Sequence, residues 1–215
     1  MPEEKKMRHL STLLVLAALA SCNRTNNEMS RFHEDGRAKP SVAIASLLDT
    51  TSFDASWSLS DEFTSGVMKQ IGSTGQIFVH SQEDSPFTEN PFGNDLSWMK
   101  REFQNEEFVV FLELVEHEFV PVGAKQGLPQ EASNNLNMAV RLRVVDLRPA
   151  NPRIVLQETI RETYFVPKTL IPNDYSVEVW GTEAYQKSPM GIAHANLIRE
   201  IAARVSDYVM LAKSR

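Results

Sequence analysis

Between Phe108 and Val166 the chain spells three long strands in series, Phe108 to Val120, Leu136 to Leu147 and Arg153 to Val166. In the middle one Met138, Val140, Leu142 and Val144 point one way and Arg141 and Arg143 the other, which is the two-residue period of a strand with unlike faces. Ahead of them, Val42 to Leu48 is a continuous apolar run between Pro40 and Asp49-Thr50-Thr51-Ser52, the pattern of a strand buried on both faces. A helix follows. Ser58 or Ser60 can cap it, Asp61 and Glu62 suit its first turn, and Leu59, Phe63, Val67 and Ile71 recur every four residues until Gly72 and Gly75. Gln76 to His80 then reads as a short strand, which closes a β-α-β unit with a right-handed crossover.

The stretch from Ser81 to Asn94, with Pro86, Pro91 and Gly93, reads as a loop long enough to carry function. A second helix is expected from Asp95 to Gln104, with Leu96, Met99 and Phe103 on one face. After an irregular stretch holding Pro167, Pro172 and Trp180, Ser188-Pro189 gives a cap and a first-turn proline. The longest helix starts there, with His194, Leu197, Ile198, Ile201, Val205, Tyr208 and Val209 on one stripe. The expected fold is therefore α/β: a single mixed sheet in the order β-α-β-α-β-β-β-α, with helices packed on it, over residues 40–215.

The N-terminus does not belong to that domain. Leu10 to Ala20 form an apolar run broken only by Ser11 and Thr12, too short for the ~20 residues that span a bilayer core. Behind Lys5, Lys6 and Arg8 it has the make-up of a signal peptide, residues 1–21. It ends Leu19-Ala20-Ser21-Cys22, which resembles the lipobox of bacterial lipoproteins. Small residues fit a peptidase groove, and only a thiol is soft enough as a nucleophile to become a thioether-linked diacylglycerol. Cys22 is the chain's one cysteine, so it has no disulfide partner within the chain, and acylation accounts for it. Two or more acyl chains on Cys22 hold stably where one would hold marginally. Asn23, where Asp would favour inner-membrane retention in similar lipoproteins, directs the expectation to the periplasmic face of the outer membrane. Residues 22–39 read as lipidated cysteine and tether, whose coil from Asn23 to Lys39 would reach about 23 Å. Glu3 and Glu4 are unusual before an apolar core, so translation is expected to start at Met7 rather than Met1.

With 42% hydrophobic and 23% charged residues the chain has globular composition, and a net charge of −6 without a dense Lys/Arg stripe argues against nucleic acid as a partner. His80 precedes Gln82, Glu83 and Asp84, and His117 sits between Glu116 and Glu118. Strand neighbours face opposite ways, so Glu116 and Glu118 cannot join His117 at one metal. His194 lies on the apolar stripe of the last helix and is expected to pack against the sheet. Glu113, Glu158 and Glu162 are expected to find cross-strand partners in Arg141, Arg143 and Arg161. The chain has no Gly-x-Ser-x-Gly elbow, no His-Glu-x-x-His and no Gly-rich phosphate loop, so neither catalytic residues nor metal or cofactor ligands are expected.

Two stretches carry a further resemblance. Val42-Ala43-Ile44 through Asp49-Thr50-Thr51, and Val144-Val145-Asp146-Leu147-Arg148 through Arg153-Ile154-Val155, resemble the aliphatic strand with its polar turn and the hairpin of the group that holds the curli-secretion lipoprotein and penicillin-binding-protein activator B. Ser188 to His194 is similar to uncharacterised chlamydial lipoproteins. The first resemblance implies protein–protein work in the envelope and carries over no catalytic residue. The expectation is a membrane-anchored, non-enzymatic module that binds an envelope protein. Its alternatives are a secretion-pore subunit, from the length of strand 136–147, and an envelope hydrolase, which would need a deep pocket joining His80 or His117 to two carboxylates.

Overall fold

The computed structural model describes residues 30–81, 89–122, 133–167 and 179–215. Cys22 and its lipobox lie outside them, as do Glu83 and Asp84. The chain runs β1 (Ser41–Ile44), β2 (Leu48–Asp49), α1 (Leu59–Ser73), β3 (Phe78–Ser81), α2 (Met99–Glu102), β4 (Phe108–Pro121), β5 (Asn134–Asp146), β6 (Arg153–Val166), α3 (Glu183–Lys187) and α4 (Pro189–Lys213). One sheet has the order β3-β1-β4-β5-β6, with β2 added beside β4. Parallel pairing of β1 with β3 and β4, and antiparallel pairing of β4 with β5 and β5 with β6, make it mixed, as expected.

The apolar run at 42–48 is not one strand. Leu47 N donates to Thr64 Oγ1 at 2.9 Å, and Leu47 O accepts from Ser60 Oγ at 2.6 Å, both on α1. Helix side chains thus take the backbone groups that a continuous ladder would have used, and pairing resumes only at Leu48. The second helix is also shorter than its pattern. Asp95 Oδ1 accepts from Ser97 N at 2.9 Å, and this local bond competes with the first helical turn. Ser58 is the cap of α1, its side chain accepting from Asp61 N, and Ser188 caps α4 ahead of Pro189 as read.

Helices α1 and α4 lie together on one sheet face. Between them and the strands sits the main core, with Phe63, Ile71, Leu112, Leu142, Leu197 and Ile201 buried in it. Each such side chain contributes roughly 1.5–3 kcal/mol of burial. The other face is covered at one end by Trp98, Met99 and Phe103 packed on Ala43, Phe111 and Val145. Arg143 fixes this cover. Its guanidinium donates to Pro91 O at 2.9 Å, Gly93 O at 2.6 Å and Phe92 O at 2.9 Å, so the expected partnership of Arg143 with a strand carboxylate gives way to loop carbonyls. No helix among the described residues is long and apolar enough to cross a membrane.

Candidate functional site

Polar groups inside a core must pair with one another, and here four of them do so from four elements. Glu62 lies three residues after Leu59 and therefore on the inner face of α1, where it is 3% exposed. Its Oε2 accepts from Trp57 Nε1 at 2.8 Å, and its Oε1 from the Tyr185 hydroxyl of α3 at 2.5 Å. The same Oε1 stands 3.1 Å from His194 Nδ1 on α4. On the far side of that ring, His194 Nε2 meets His117 Nε2 of β4 at 2.8 Å.

His117 reaches this position through a β-bulge. The register with β5 slips between Leu114 and Glu116, which leaves Val115 as an extra residue. Up to Leu114 the even-numbered side chains of β4 face the helices, whereas after the slip His117 and Phe119 do. Glu116 and Glu118 are thereby sent to the opposite face, in keeping with the alternation argument. Phe53 packs against His117 with ring centroids 4.2 Å apart and the planes tilted by 51°, and the Phe63 ring lies 5.0 Å from His194.

The charges follow from these contacts. Burial works against the charge on Glu62, yet the bonds from His194, Tyr185 and Trp57 hold its carboxyl below the usual range. Burial, and then the neighbouring charge on His194, push His117 down to about 3. Glu62 is therefore an acceptor and His117 a neutral ring near pH 7. A proton on His194 Nδ1 is shared between the Tyr185 hydroxyl oxygen at 2.7 Å and Glu62 Oε1 at 3.1 Å, and a single proton bridges the two Nε2 atoms. The arrangement resembles the carboxylate-oriented histidine of a general base, but its outer histidine ends against Phe53 inside the core. His117 meets one carboxylate, through His194, rather than two in a pocket.

Outside Glu62 and Tyr185 opens a cleft of about 370 Å³ between α1, α3 and α4. Ser65, Gly66 and Lys69 form one wall, Ala195 and Ile198 another, and Trp180 stands at the rim. Gly191 is required here, because a Cβ would lie 2.0 Å from the Tyr185 carbonyl oxygen.

The other charged candidates are dispersed. His80 Nε2 is 2.9 Å from Glu106 Oε1, and Ser41 donates to the same carboxylate. Glu113 pairs with Arg141 as expected. Arg161 pairs instead with Glu116 at 2.7 Å, because the bulge brings Glu116 onto its face, and Glu158 turns to the helix side, 3.8 Å from Arg204. Among the described residues no group of three or more His, Cys, Asp or Glu is arranged to hold a metal ion. Sequence reasoning placed His194 inside but missed Tyr185 and gave Glu62 only a first-turn role.

The chain belongs to a family of unknown function, DUF7499, whose pattern matches residues 28–213. No curated protein matches it. It is similar to the hypothetical protein CT253 of Chlamydia trachomatis, with 26% identity and a TM-score of 0.64 over 80% of this chain and 98% of that one. Weaker likenesses include the PelC dodecamer of Paraburkholderia phytofirmans, at 13% identity and TM-score 0.44 over 79% of this chain and 87% of that one. Another is lipoprotein GNA1162 of Neisseria meningitidis, at 13% identity and TM-score 0.35 over 76% of this chain and 99% of that one.

Proposed function

We propose that this DUF7499 member is a lipid-anchored protein of the bacterial cell envelope whose α/β domain binds another envelope protein and performs no chemistry of its own. The observation that carries the reading is Leu19-Ala20-Ser21-Cys22 directly behind an apolar run and basic residues. The buried network supports the binding half. Trp57, Tyr185 and His194 occupy both oxygens of Glu62, so this polar cluster ties α1, α3, α4 and β4 together. Above it the cleft offers a half-exposed Trp180, Lys69 and Gln186, an aromatic anchor with polar neighbours of the kind that dominates protein recognition.

A photo-crosslinking residue at position 180 tests the reading in cells, beside the same residue at Thr163 on the open sheet face. A discrete envelope-protein adduct that forms from position 180 and is lost in Cys22→Ser is the expected result. Equal, diffuse labelling from both positions would contradict it.

A further inference from the structure

We propose that the end of the domain at which the chain enters rests on an anionic lipid surface, an inference that depends on the anchor at Cys22. Strand registers define this end. Val42 aligns with Phe108, Phe108 with Asp146 and Asp146 with Arg153, while Ser41 aligns with Phe78. The last turn of α4 joins them, since Arg148 Nη2 donates to Ala212 O at 2.7 Å and Lys213 Nζ to Glu107 Oε1 at 2.5 Å. The entering chain does too: Arg31 lies 4.9 Å from the centre of the Phe78 ring, and Lys39 N donates to Arg31 O at 2.9 Å. At Ser30 the described chain therefore leaves the domain at this end and not at the distal tips of β4 to β6.

Cations collect there. Arg31, Lys39, Arg148, Arg153, Lys213 and Arg215 belong to this end of a chain whose net charge is −6. Asp146 is fully buried and is shared by Arg148 and Arg153, which leaves one positive charge in excess. Lys213 balances Glu107, Glu106 lies against His80 and feels the charge of Arg31, and Asp35 is held by Arg37. Lys39 and the Arg215 side chain have no ion pair among the described residues, and Glu34 and the carboxylate at residue 215 are the remaining negative groups of this end.

Between β6 and the last turn of α4 lies a groove of about 270 Å³ lined by Ile154, Val155, Tyr208 and Leu211, with Arg153 and Arg215 beside them. Ile154 is 41% exposed and Leu211 50%. Exposed aliphatic side chains ringed by arginines suit the boundary between acidic headgroups and acyl chains. Covalent geometry favours lipid over protein as the occupant. Even fully extended, the segment from Cys22 to Ser30 reaches at most about 29 Å, and a folded domain of ~100 residues is more than about 30 Å across.

The test uses the full chain, purified from membranes and reconstituted into phosphatidylcholine vesicles with or without phosphatidylglycerol. Because Cys22 is the sole cysteine, acylation leaves Leu211→Cys as the one free thiol for an environment-sensitive fluorophore. Phe165→Cys, 60% exposed at the far end of β6, is the reference. In anionic vesicles the probe at 211 is expected to shift to the blue and escape a water-soluble quencher, while the probe at 165 stays exposed. Adding Lys39→Glu with Arg215→Glu should lower the docking equilibrium more than about twentyfold, at roughly fivefold per basic residue. One thiol labelled per chain with equal exposure at 211 and 165 would overturn the docking and leave the anchor standing. Two thiols labelled would show Cys22 unacylated, which removes the anchor and the docking together.

Discussion

His117 and His194, 77 residues apart in sequence, face each other Nε2 to Nε2 at 2.8 Å in the core. A strand from the middle of the sheet and the long C-terminal helix are thus joined by one proton. Behind His194, Glu62 and Tyr185 extend the connection to α1 and α3.

Removing the carboxylate should therefore be costly. Glu62→Ala takes the acceptor from Trp57 Nε1 and the Tyr185 hydroxyl, leaving His194 Nδ1 only the Tyr185 oxygen, and is expected to lower stability by about 3–5 kcal/mol. Glu62→Gln keeps the shape and one acceptor and should cost about 1–3 kcal/mol. Urea unfolding of the three proteins measures both values, and equal stability of Glu62→Ala and wild type would show that the network is not a tie.

The same cluster sets a pH dependence. The native value of His117 is about 3, against about 6.5 unfolded. Between those values the unfolded chain holds a proton that the native chain lacks, so stability falls with acidification by about 1.4 kcal/mol per pH unit from this group. Glu62, with its native value lowered, adds stability present above the unfolded carboxylate range and lost as pH falls through the native value. Urea midpoints should decline between pH 6.5 and 5, where carboxylates scarcely titrate. His117→Gln, whose amide can pair with His194 Nε2 as donor or acceptor, should flatten that decline.

Two glycines separate close backbone approach from loose packing. At Gly191 a Cβ would press on the Tyr185 carbonyl at 2.0 Å, whereas at Gly66 it would meet only the Ile198 side-chain tip at 2.7 Å. Gly191→Ala should displace α3 and lower the melting temperature sharply. Gly66→Ala should change it little, because Ile198 can rotate and alanine favours the helix.

Arg143 holds a loop by three carbonyls at once. Arg143→Met should free the backbone around Pro91, Phe92 and Gly93, seen as faster amide exchange from Asn94 to Phe103, with about 2–4 kcal/mol lost. Unchanged exchange there would mean that Trp98 and Phe103 fix the cover unaided.

Much of the fold was legible because its long elements repeat their periods. The pattern predicts a strand over 153–166, the bounds that β6 shows, and the Ser188-Pro189 start of α4 follows from capping chemistry alone. Local pattern could not show that Thr64 and Ser60 would claim the backbone of Leu47, since they act from the next element. The site was less legible for the same kind of reason. The inward turn of His117 depends on a bulge at Val115, and an extra residue in a ladder is a property of the pairing. The spacing from Leu59 to Glu62 was a usable signal, because i and i+3 share a helix face.

Whether Cys22 carries a lipid is decided by the intact mass of the membrane-extracted protein, wild type beside Cys22→Ser. A chain that begins at residue 22 and carries acyl mass, with that mass absent from the variant, is the predicted result. A wild-type chain that retains residues before Cys22, or begins there without added mass, would contradict it.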